Sequence, residues 1–436
     1  MVSLALIAGA AILSTGFDVK NVKLNAENVW ILQKGTGANL ASRFGRVNTA
    51  VNELTSFNAV TDPSALIQST NASLLFAGAN SKYVNISSAT PTDFTEDSED
   101  AISLDSSAKA IEVGIDVASL IGSDGKLLVS TTSGAGFQKP VAVPMPAGVD
   151  RFDATAVSSL DKILAFSAGS KKLFEYDPVS QRFAEQTDLL SGDMSGPFQL
   201  ASIRDKWALL DQGENRLWIS GAAEAMAVTP DSQLQRSAGF GSGALLATST
   251  ELVSIDLETR TPTSVTSVPG GQVTTRPLAF KDFLYASWLS ESAGWLWSST
   301  DNQLKDLSFG AKKLDATKFA GEAKDALSFQ SNGQTAVVND TYSGWAWSLP
   351  DGELIVGTQN WNSIVPPPKP CKVDCEQPED SKTPKPPVAV SDKFGVRAGQ
   401  LVSLPILLND SDPNRGNIIT IVPDSVRGLS SASEKC

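Results

Sequence analysis

The side chains available for acid–base or nucleophilic chemistry in this 436-residue chain are carboxylates, lysines, tyrosines and serines, because the sequence contains no histidine. Histidine-dependent triads and histidine-containing zinc or iron sites are therefore excluded. The three cysteines, Cys371, Cys375 and Cys436, all lie near the carboxyl end, so the long central region holds no thiolate site. What stays open is a pair of carboxylates, as in a glycoside hydrolase, whose two acids can come from distant parts of a chain.

No local motif places chemical groups at a catalytic spacing. The sequence has no G-x-x-x-x-G-K-[ST] or G-x-G-x-x-G phosphate loop, and GFGSGALL (239–246) leads into a predicted strand, so we interpret it as a turn. The stretch SSTDNQLKD (298–306) lacks the glycine and the tryptophan of a sialidase-type box. TEDSED (95–100) is typical of a solvated loop, with weak cation binding as the alternative. We therefore predict no catalytic residue.

Charge and composition restrict the class of protein further. The net charge is −13 with a pI near 4.6, so no basic patch is available for phosphates and nucleic-acid binding is not expected. Hydrophobic residues make up 41% and charged residues 19% of the chain, with 33 glycines. This balance favours a β-rich folded protein over a disordered one.

Two similar tryptophan phrases, ESAGWLWSST (291–300) and TYSGWAWSLP (341–350), indicate a repeated unit. Trp295 and Trp297, like Trp345 and Trp347, occupy alternate positions and therefore share one face of a predicted strand. One interpretation is that these rings wedge neighbouring units together. The other is a ring of tryptophans that stack on sugars or peptides, which requires the side chains to face outward.

Short β-type runs recur along the central region, each followed by a turn and a second run. They are ASLLFAGANSKYVNI (72–86), GKLLVSTTSGAGFQKPVAV (125–143), KILAFSAGSKKLFEYDPVSQRF (162–183), KWALLDQGENRLWISGAAEAMAV (206–228), ALLATSTELVSIDLETRTPTSV (244–265), FLYASWLSESAGWLWSSTDNQLKDL (283–307) and TAVVNDTYSGWAWSLPDGELIV (335–356). Their spacing is close to the roughly 40–50 residues of a propeller blade. The repeats therefore predict a β-propeller over residues 21–364.

The runs inside each unit assign the strands. The first run is almost entirely apolar, so we interpret it as the inner strand of a blade, packed on both faces. The second run alternates and carries the tryptophan phrases. An isolated run, ENVWILQ (27–33), is interpreted as the strand that joins the first and last blades, which makes seven the natural count and eight the alternative. An array of β-sandwiches is the rival fold, but the units lack proline-rich linkers.

The first twenty residues contain an apolar stretch from Val2 to Leu13. Its length is that of a signal-peptide core, roughly 7–15 residues, although no basic segment precedes it. If the true start lies upstream, the stretch completes a membrane anchor. We expect a signal peptide or anchor over residues 1–20, and a buried core strand or helix is the alternative.

The composition changes sharply after the propeller region. Residues 365–387 are rich in proline and charge, which predicts an extended, semi-rigid linker. Cys371 and Cys375 lie inside it as C-x₃-C. In an exported protein they are expected to close a small disulfide loop, with free thiols as the alternative.

Residues 388–422 resemble the start of a cadherin-like or immunoglobulin-like repeat of bacterial surface proteins. The matching stretches are AVSD, LVSLPIL after Gly399, and LLNDSDPNRGN before IITIV. In such families the acidic turn binds calcium in some members, and the resemblance assigns that role to the oxygen-bearing residues Asn409, Asp410, Asp412 and Asn414. Arg415 shifts the usual spacing by one, and a metal-free Asx-type turn is the alternative. The repeat over 388–436 is incomplete, since a whole one needs about 90–100 residues.

The layout as a whole resembles the front end of large actinobacterial surface proteins, which carry a membrane anchor, a propeller and a series of immunoglobulin-like, cadherin-like or fibronectin type III repeats. GRVNTAVNELTSF (45–57) followed by SLLFAGANSKYVNI is the stretch that matches their head. The resemblance implies adhesion or scaffolding and transfers no catalytic residue.

The function expected from these features is non-enzymatic binding at the cell surface. The propeller face would hold a protein or a cell-wall polysaccharide, and the amino-terminal segment would tether the chain to the membrane. No cofactor other than calcium is expected. The alternative is a secreted propeller enzyme, a glycoside hydrolase or lyase, with carboxylates at the mouth of the central channel.

Overall fold

The computed structural model of the chain describes residues 28–34, 42–70, 72–86, 93–95, 98–133, 136–186, 191–222, 224–269, 273–290, 293–307, 327–363 and 387–391. Contacts between Cα atoms divide the chain into two units, Met1–Pro368 and Lys369–Cys436. All of the described strands lie in the first unit. The second unit is described at residues 387–391 only.

The described residues of the first unit form eight antiparallel sheets, which follow one another along the chain. Sheet 1 contains β1 (Asn28–Gln33), β2 (Arg43–Asn48) and β3 (Glu53–Ala59); sheet 2 contains β4 (Pro63–Gln68), β5 (Ser73–Ala77), β6 (Lys82–Asn85) and β7 (Ile102–Ser103); sheet 3 contains β8 (Ala108–Val113), β9 (Val117–Gly122), β10 (Leu127–Ser133), β11 (Gly136–Phe137) and β12 (Val141–Ala142); sheet 4 contains β13 (Ala154–Val157), β14 (Ile163–Ser167), β15 (Lys172–Asp177) and β16 (Arg182–Gln186).

The second half of the unit repeats this pattern. Sheet 5 contains β17 (Phe198–Ile203), β18 (Lys206–Asp211), β19 (Arg216–Ile219) and β20 (Met226–Ala227); sheet 6 contains β21 (Gln233–Leu234), β22 (Gly243–Ala247), β23 (Glu251–Asp256) and β24 (Pro262–Ser267); sheet 7 contains β25 (Val273–Thr274), β26 (Leu278–Phe280), β27 (Phe283–Leu289), β28 (Gly294–Ser298) and β29 (Gln303–Asp306); sheet 8 contains β30 (Leu327–Ser331), β31 (Ala336–Asp340) and β32 (Ala346–Ser348). The helix of the described residues is a 3-10 turn at Trp361–Ser363.

Eight clusters of buried apolar side chains hold the described sheets together, and each cluster lies between two successive sheets. The last of them packs Val29 and Ile31 of sheet 1 against Val337 and Ala346 of sheet 8. Every sheet is therefore covered on both faces by its neighbours, and the eighth returns to the first. The arrangement is an eight-bladed β-propeller, and each sheet is one blade.

The all-β propeller predicted from the repeats is confirmed, and the blade count is eight. The prediction that seven is the natural count is wrong. It depended on assigning ENVWILQ to another blade, whereas β1 (Asn28–Gln33) pairs with β2 inside its own sheet. The immunoglobulin-like or cadherin-like part of the fold prediction lies outside the described residues, apart from 387–391.

The ring is closed instead by residues 354–356, which follow β32. Leu354 bridges Trp347 of blade 8 in antiparallel fashion, and Val356 bridges Glu53 of blade 1 in parallel fashion. The amide of Leu54 donates to the carbonyl of Val356 at 2.9 Å. This short segment therefore joins the outer parts of the first and last blades.

The prediction that the long apolar runs are the innermost strands of their blades is wrong. The long apolar runs are the second strands of their blades, not the innermost ones: ILAFS, for example, is β14, and the shorter β13 precedes it. It is β13 that contacts β8 and β17 of the neighbouring blades. Some innermost strands are short, such as β13 with four residues and β21 with two, and these lack the long apolar pattern by which strands are recognised.

The two tryptophan phrases consequently lie at the third strands, not the second. In blades 7 and 8 these strands are β28 and β32. Trp297 is buried in the cluster between blades 6 and 7, and Trp345 and Trp347 are buried in the cluster between blades 7 and 8. Trp295 is half-buried and packs against the same cluster as Trp297. Each phrase thus faces the preceding blade.

Blade 1 has three described strands, and the inner edge of β1 is covered by side chains from both neighbouring blades. Gln68 of blade 2 accepts the amide of Trp30 at 2.9 Å and donates to the carbonyl of the same residue at 2.7 Å. The amide of Leu32 donates to Oδ1 of Asn339 in blade 8 at 2.9 Å. Backbone groups that no strand pairs are thereby satisfied, as buried backbone groups must be.

A buried carboxylate, Asp340, ends the second strand of blade 8. It is fully buried and accepts hydrogen bonds from the amides of Tyr342 and Ser343 at 3.2 and 3.1 Å, and from the Ser343 hydroxyl. Burial raises the pKa of Asp340 to about 6, although these three hydrogen bonds oppose the shift. In contrast, Asp256 at the end of β23 has a lowered pKa, because Thr259 and Glu258 donate to its carboxylate.

The two carboxylates are expected to respond to pH with opposite signs. A raised pKa means that Asp340 contributes stability that is present below about pH 4 and is lost as the pH rises through about 6. Replacing Asp340 with Asn should therefore destabilise the protein less at pH 7 than at pH 4. The effect of the substitution on the free energy of unfolding should differ by up to about 3 kcal/mol between these two pH values. Asp256→Asn should instead become more harmful over the same range. Urea denaturation at several pH values measures both, and a pH-independent effect of Asp340→Asn would contradict the prediction.

Candidate binding cavity in the central channel

A cavity of about 320 Å³ lies in the centre of the ring. Its lining comes from six of the eight described blades, all except blades 1 and 5. The contributing residues lie at the carboxyl ends of innermost strands, such as β4, β8 and β30, and in the turns that lead to the second strands. The cavity therefore opens on the face of the propeller that these turns build.

A charged crosslink spans the cavity. Arg276, just ahead of β26 in blade 7, donates from Nη1 to Oε1 of Glu112 on β8 in blade 3. Its Nε donates to the carbonyl of Leu234 at 2.9 Å, and its Nη2 donates to the carbonyls of Leu200 at 2.9 Å and Gln235 at 3.1 Å. All three nitrogens of this guanidinium are therefore engaged. Arg276 ties together blades 3, 5, 6 and 7.

A second arginine, Arg236, lies beside this crosslink and just after β21 in blade 6. Its Nη1 donates to the carbonyl of Phe329 in blade 8 at 3.3 Å, the one protein acceptor of this guanidinium among the described residues. Burial lowers the pKa of Arg236, Glu112 raises it, and the like charge of Arg276 lowers it. The side chain still carries its charge at neutral pH, because an arginine in a protein does not lose its proton.

The rim of the cavity carries exposed apolar side chains. Ile115, in the turn after β8, lines the cavity and is 47% exposed, and Leu160, which follows the lining residue Ser159 in the turn after β13, is 80% exposed. Asp161 joins these two turns, since its carboxylate accepts the amides of Ile115 at 2.8 Å and Asp116 at 3.1 Å. A side chain at Gly114 would force its neighbours to shift, because its Cβ would lie 2.1 Å from Oδ1 of Asp161 and 2.7 Å from Cγ1 of Val157. The apolar rim is thus fixed by hydrogen bonds.

None of the residues singled out in the sequence lines this cavity. Trp295, Trp297, Trp345 and Trp347 lie between blades, away from the channel. The predicted calcium ligands Asn409, Asp410, Asp412 and Asn414, and the predicted disulfide of Cys371 and Cys375, lie outside the described residues. So does the predicted signal peptide or anchor at residues 1–20.

The described part of the chain lacks two features, a cluster of metal ligands and a membrane-spanning helix. It contains no group of three or more His, Cys, Asp or Glu side chains placed to hold a metal ion. Likewise, none of its residues belongs to a helix with the length and apolar character needed to cross a bilayer.

The charged cavity residues were missed because the repeated runs do not cover them: Glu112 lies on the innermost strand β8, and Arg236 and Arg276 lie beside the short strands β21 and β26. One signal exists in the sequence. Arg236 and Arg276 each stand four residues ahead of a phenylalanine, Phe240 and Phe280, in LQRSAGF and TTRPLAF. An arginine at the same place in two successive repeats is a sign of a shared position near the axis.

Fold and cavity together define an eight-bladed β-propeller with a charged central channel. No protein-family model matches the sequence, and no curated protein matches it. A similar solved structure is the computationally designed Ika8 protein, with 14% identity and a TM-score of 0.44 over 68% of this chain and 86% of that chain.

Two further similar structures are natural proteins. Virginiamycin B lyase from Staphylococcus aureus has 8% identity and a TM-score of 0.44 over 64% of this chain and 91% of that chain. YCF48 from Cyanidioschyzon merolae has 11% identity and a TM-score of 0.42 over 64% of this chain and 92% of that chain. Likeness at these values says nothing about the function of this chain.

Proposed function

We propose that this chain is a non-enzymatic binding protein of the cell surface, whose propeller holds a protein or a cell-wall polysaccharide on the face where the central cavity opens. The amino-terminal segment is proposed to export or anchor the chain. Residues 388–436 are proposed to belong to an immunoglobulin-like or cadherin-like repeat, with calcium at its acidic turn. The apolar stretch from Val2 to Leu13 and the resemblance of residues 388–422 to such a repeat support these parts.

The observation that supports binding over catalysis is that the one carboxylate lining the described cavity is paired with an arginine. Glu112 is the one acidic side chain that lines the described cavity, and Arg276 already pairs with it. A glycoside hydrolase of the rival kind needs two carboxyl groups about 5–10 Å apart across an open site. A single carboxylate held by an arginine supports a structural role for the charge, and hence binding without turnover.

The rim supports the same function. Exposed apolar side chains at the centre of a face are typical of surfaces that meet a partner. Leu160 and Ile115 are held at the cavity mouth by the link through Asp161, so this surface is ordered before a partner arrives. Order of this kind reduces the entropy that binding costs.

The test compares two exposed apolar residues of blade 4. Leu160 lies in the turn between the two inner strands, whereas Val179, 93% exposed, lies in the turn between the two outer strands. Leu160→Asp should abolish co-sedimentation of the protein with an insoluble cell-envelope preparation, and Val179→Asp should leave it unchanged. Protease treatment of the preparation then separates a protein partner from a polysaccharide.

Two results would contradict the proposal. One is equal co-sedimentation of wild type and Leu160→Asp, which would place the binding surface elsewhere. The other is release of new reducing ends from the polysaccharide that disappears in Glu112→Gln, which would make the protein an enzyme. Circular dichroism of each variant shows that the propeller is folded before binding is compared.

A further inference from the structure

The cavity contains more positive charge than negative charge. Among its lining residues the charged side chains are Arg236, Arg276 and Glu112, so two positive charges and one negative charge leave a net charge of +1. This is the opposite of the whole chain, which carries −13. Arg276 pairs with Glu112, and the uncompensated charge is that of Arg236.

Arg236 also has unused hydrogen-bond donors. A guanidinium carries five N–H donors, and a single one goes to Phe329 within the described structure. None of the Arg236 nitrogens is among the described buried polar atoms that lack a partner, so the remaining donors are reached by solvent inside the cavity. A guanidinium that lies inside the protein, with free N–H donors facing a cavity, is the arrangement that recognises planar anions.

From this geometry we propose that the central cavity binds a carboxylate group, which the guanidinium of Arg236 holds through two parallel hydrogen bonds in a bidentate pair. The net charge of +1 matches a monoanion, whereas a phosphate group brings about −1.5 to −2 at pH 7. Serine hydroxyls at Ser159 and Ser237 line the same cavity and can donate to an oxyanion. Arg276 is the positioning residue, since its bonds to Leu234 and Gln235 fix the backbone next to Arg236.

The size of the cavity limits the ligand. Sites for small molecules run from about 300 to 1,000 Å³, and a cavity of 320 Å³ is at the lower end of this range. It accommodates a small organic acid, or the carboxyl end of a longer partner that enters past the rim residues Ile115 and Leu160. The inference rests on the proposed function in one respect, namely that the propeller binds at this face without turning its ligand over.

The experiment follows the Nε–Hε signals of the arginines in NMR spectra during titration with sodium acetate and sodium butyrate at constant ionic strength. Wild type should show a saturable shift of the Arg236 signal, which is assigned by its loss in Arg236→Met. Bound butyrate should also raise the melting temperature of wild type. This increase should disappear in Arg236→Met, whose affinity for butyrate should be at least about ten-fold weaker than that of wild type. Arg182→Met, at an exposed arginine of blade 4, is the matched control and should bind like wild type.

Further comparisons identify the source of the carboxylate. A second variant keeps the site testable if Arg236→Met does not fold. Acetylated trialanine is compared with its carboxamide: tighter binding of the peptide acid than of butyrate indicates the end of a partner chain, and the reverse indicates a free organic acid. Arg236→Lys keeps the charge without the fork and should bind between wild type and Arg236→Met. It therefore tests the site even if Arg236→Met is unfolded.

Three results would overturn the inference. They are no saturable shift in wild type, retained binding in a folded Arg236→Met, and tighter binding of inorganic phosphate than of acetate. None of these affects the cell-envelope experiment, which depends on Leu160. If the carboxylate fails to bind while Leu160→Asp still abolishes envelope binding, only the cavity site is wrong.

Discussion

Replacing Trp361 with alanine is expected to destabilise the propeller by about 4 kcal/mol and to loosen it at one place, the contact between blades 8 and 1. Trp361 is 2% exposed and belongs to the cluster that packs Val29 and Ile31 against Val337. Its Nε1 donates to the carbonyls of Gly344 at 3.2 Å and Thr358 at 3.1 Å. Removing the ring leaves a cavity at the contact that closes the circle.

The surroundings of Trp361 explain why no other residue can fill this space. A Cβ atom at Gly45 of blade 1 would lie 2.7 Å from the indole, and one at Gly344 of blade 8 would lie 2.8 Å from it. The ring therefore occupies a slot between two glycines, one from each of the blades that it joins. A smaller side chain at 361 leaves the slot open, since neither glycine can supply the missing atoms.

Hydrogen exchange with mass spectrometry checks where the loosening occurs. In Trp361→Ala, exchange should rise most in blades 1 and 8 and least in blades 4 and 5 on the far side of the ring. Trp297→Ala is the control, because Trp297 is 4% exposed and packs between blades 6 and 7. It should lose similar stability in urea, but its exchange should rise at blades 6 and 7. The same exchange pattern in both variants would contradict a special role in closure.

How much of the fold the sequence predicts depends on the position of a strand in its blade. Second and third strands, such as β14 and β15, carry long apolar or alternating runs, since blades cover both of their faces, and they were predicted correctly as strands. Some innermost strands, such as β21 with two residues, have too few residues to show a period. Mistaking second strands for innermost ones hid the channel, where the candidate site lies.

The candidate site could not be predicted for a second reason, which is distance along the chain. Glu112, Arg236 and Arg276 come from three blades and meet only because the ring is closed. Trp361 was equally inconspicuous, since it stands at the start of the proline-rich stretch although its ring is buried in the core. Local sequence patterns report on strands, whereas closure and channel depend on which blades become neighbours.

The Arg276 crosslink gives the second large expected effect. Arg276→Met should destabilise the protein by about 3 kcal/mol or more, because it leaves Glu112 as an unpaired charge inside the channel. It also removes the hydrogen-bond donor of the carbonyls of Leu200, Leu234 and Gln235, which all accept from this guanidinium. The side chains of Glu112 and Arg276 are each 19% exposed, so water restores little of what is lost.

A double-mutant cycle separates the ion pair from the carbonyl contacts. Glu112→Gln removes the charge partner and keeps the three carbonyl bonds, so it should cost less than Arg276→Met. The double variant Arg276→Met with Glu112→Gln should recover part of the loss, because no unpaired carboxylate remains. Additive effects in urea denaturation would mean that Glu112 and Arg276 act independently. Glu112 would then be free to act as an acid or base, and the main argument for a binding protein over an enzyme would fall.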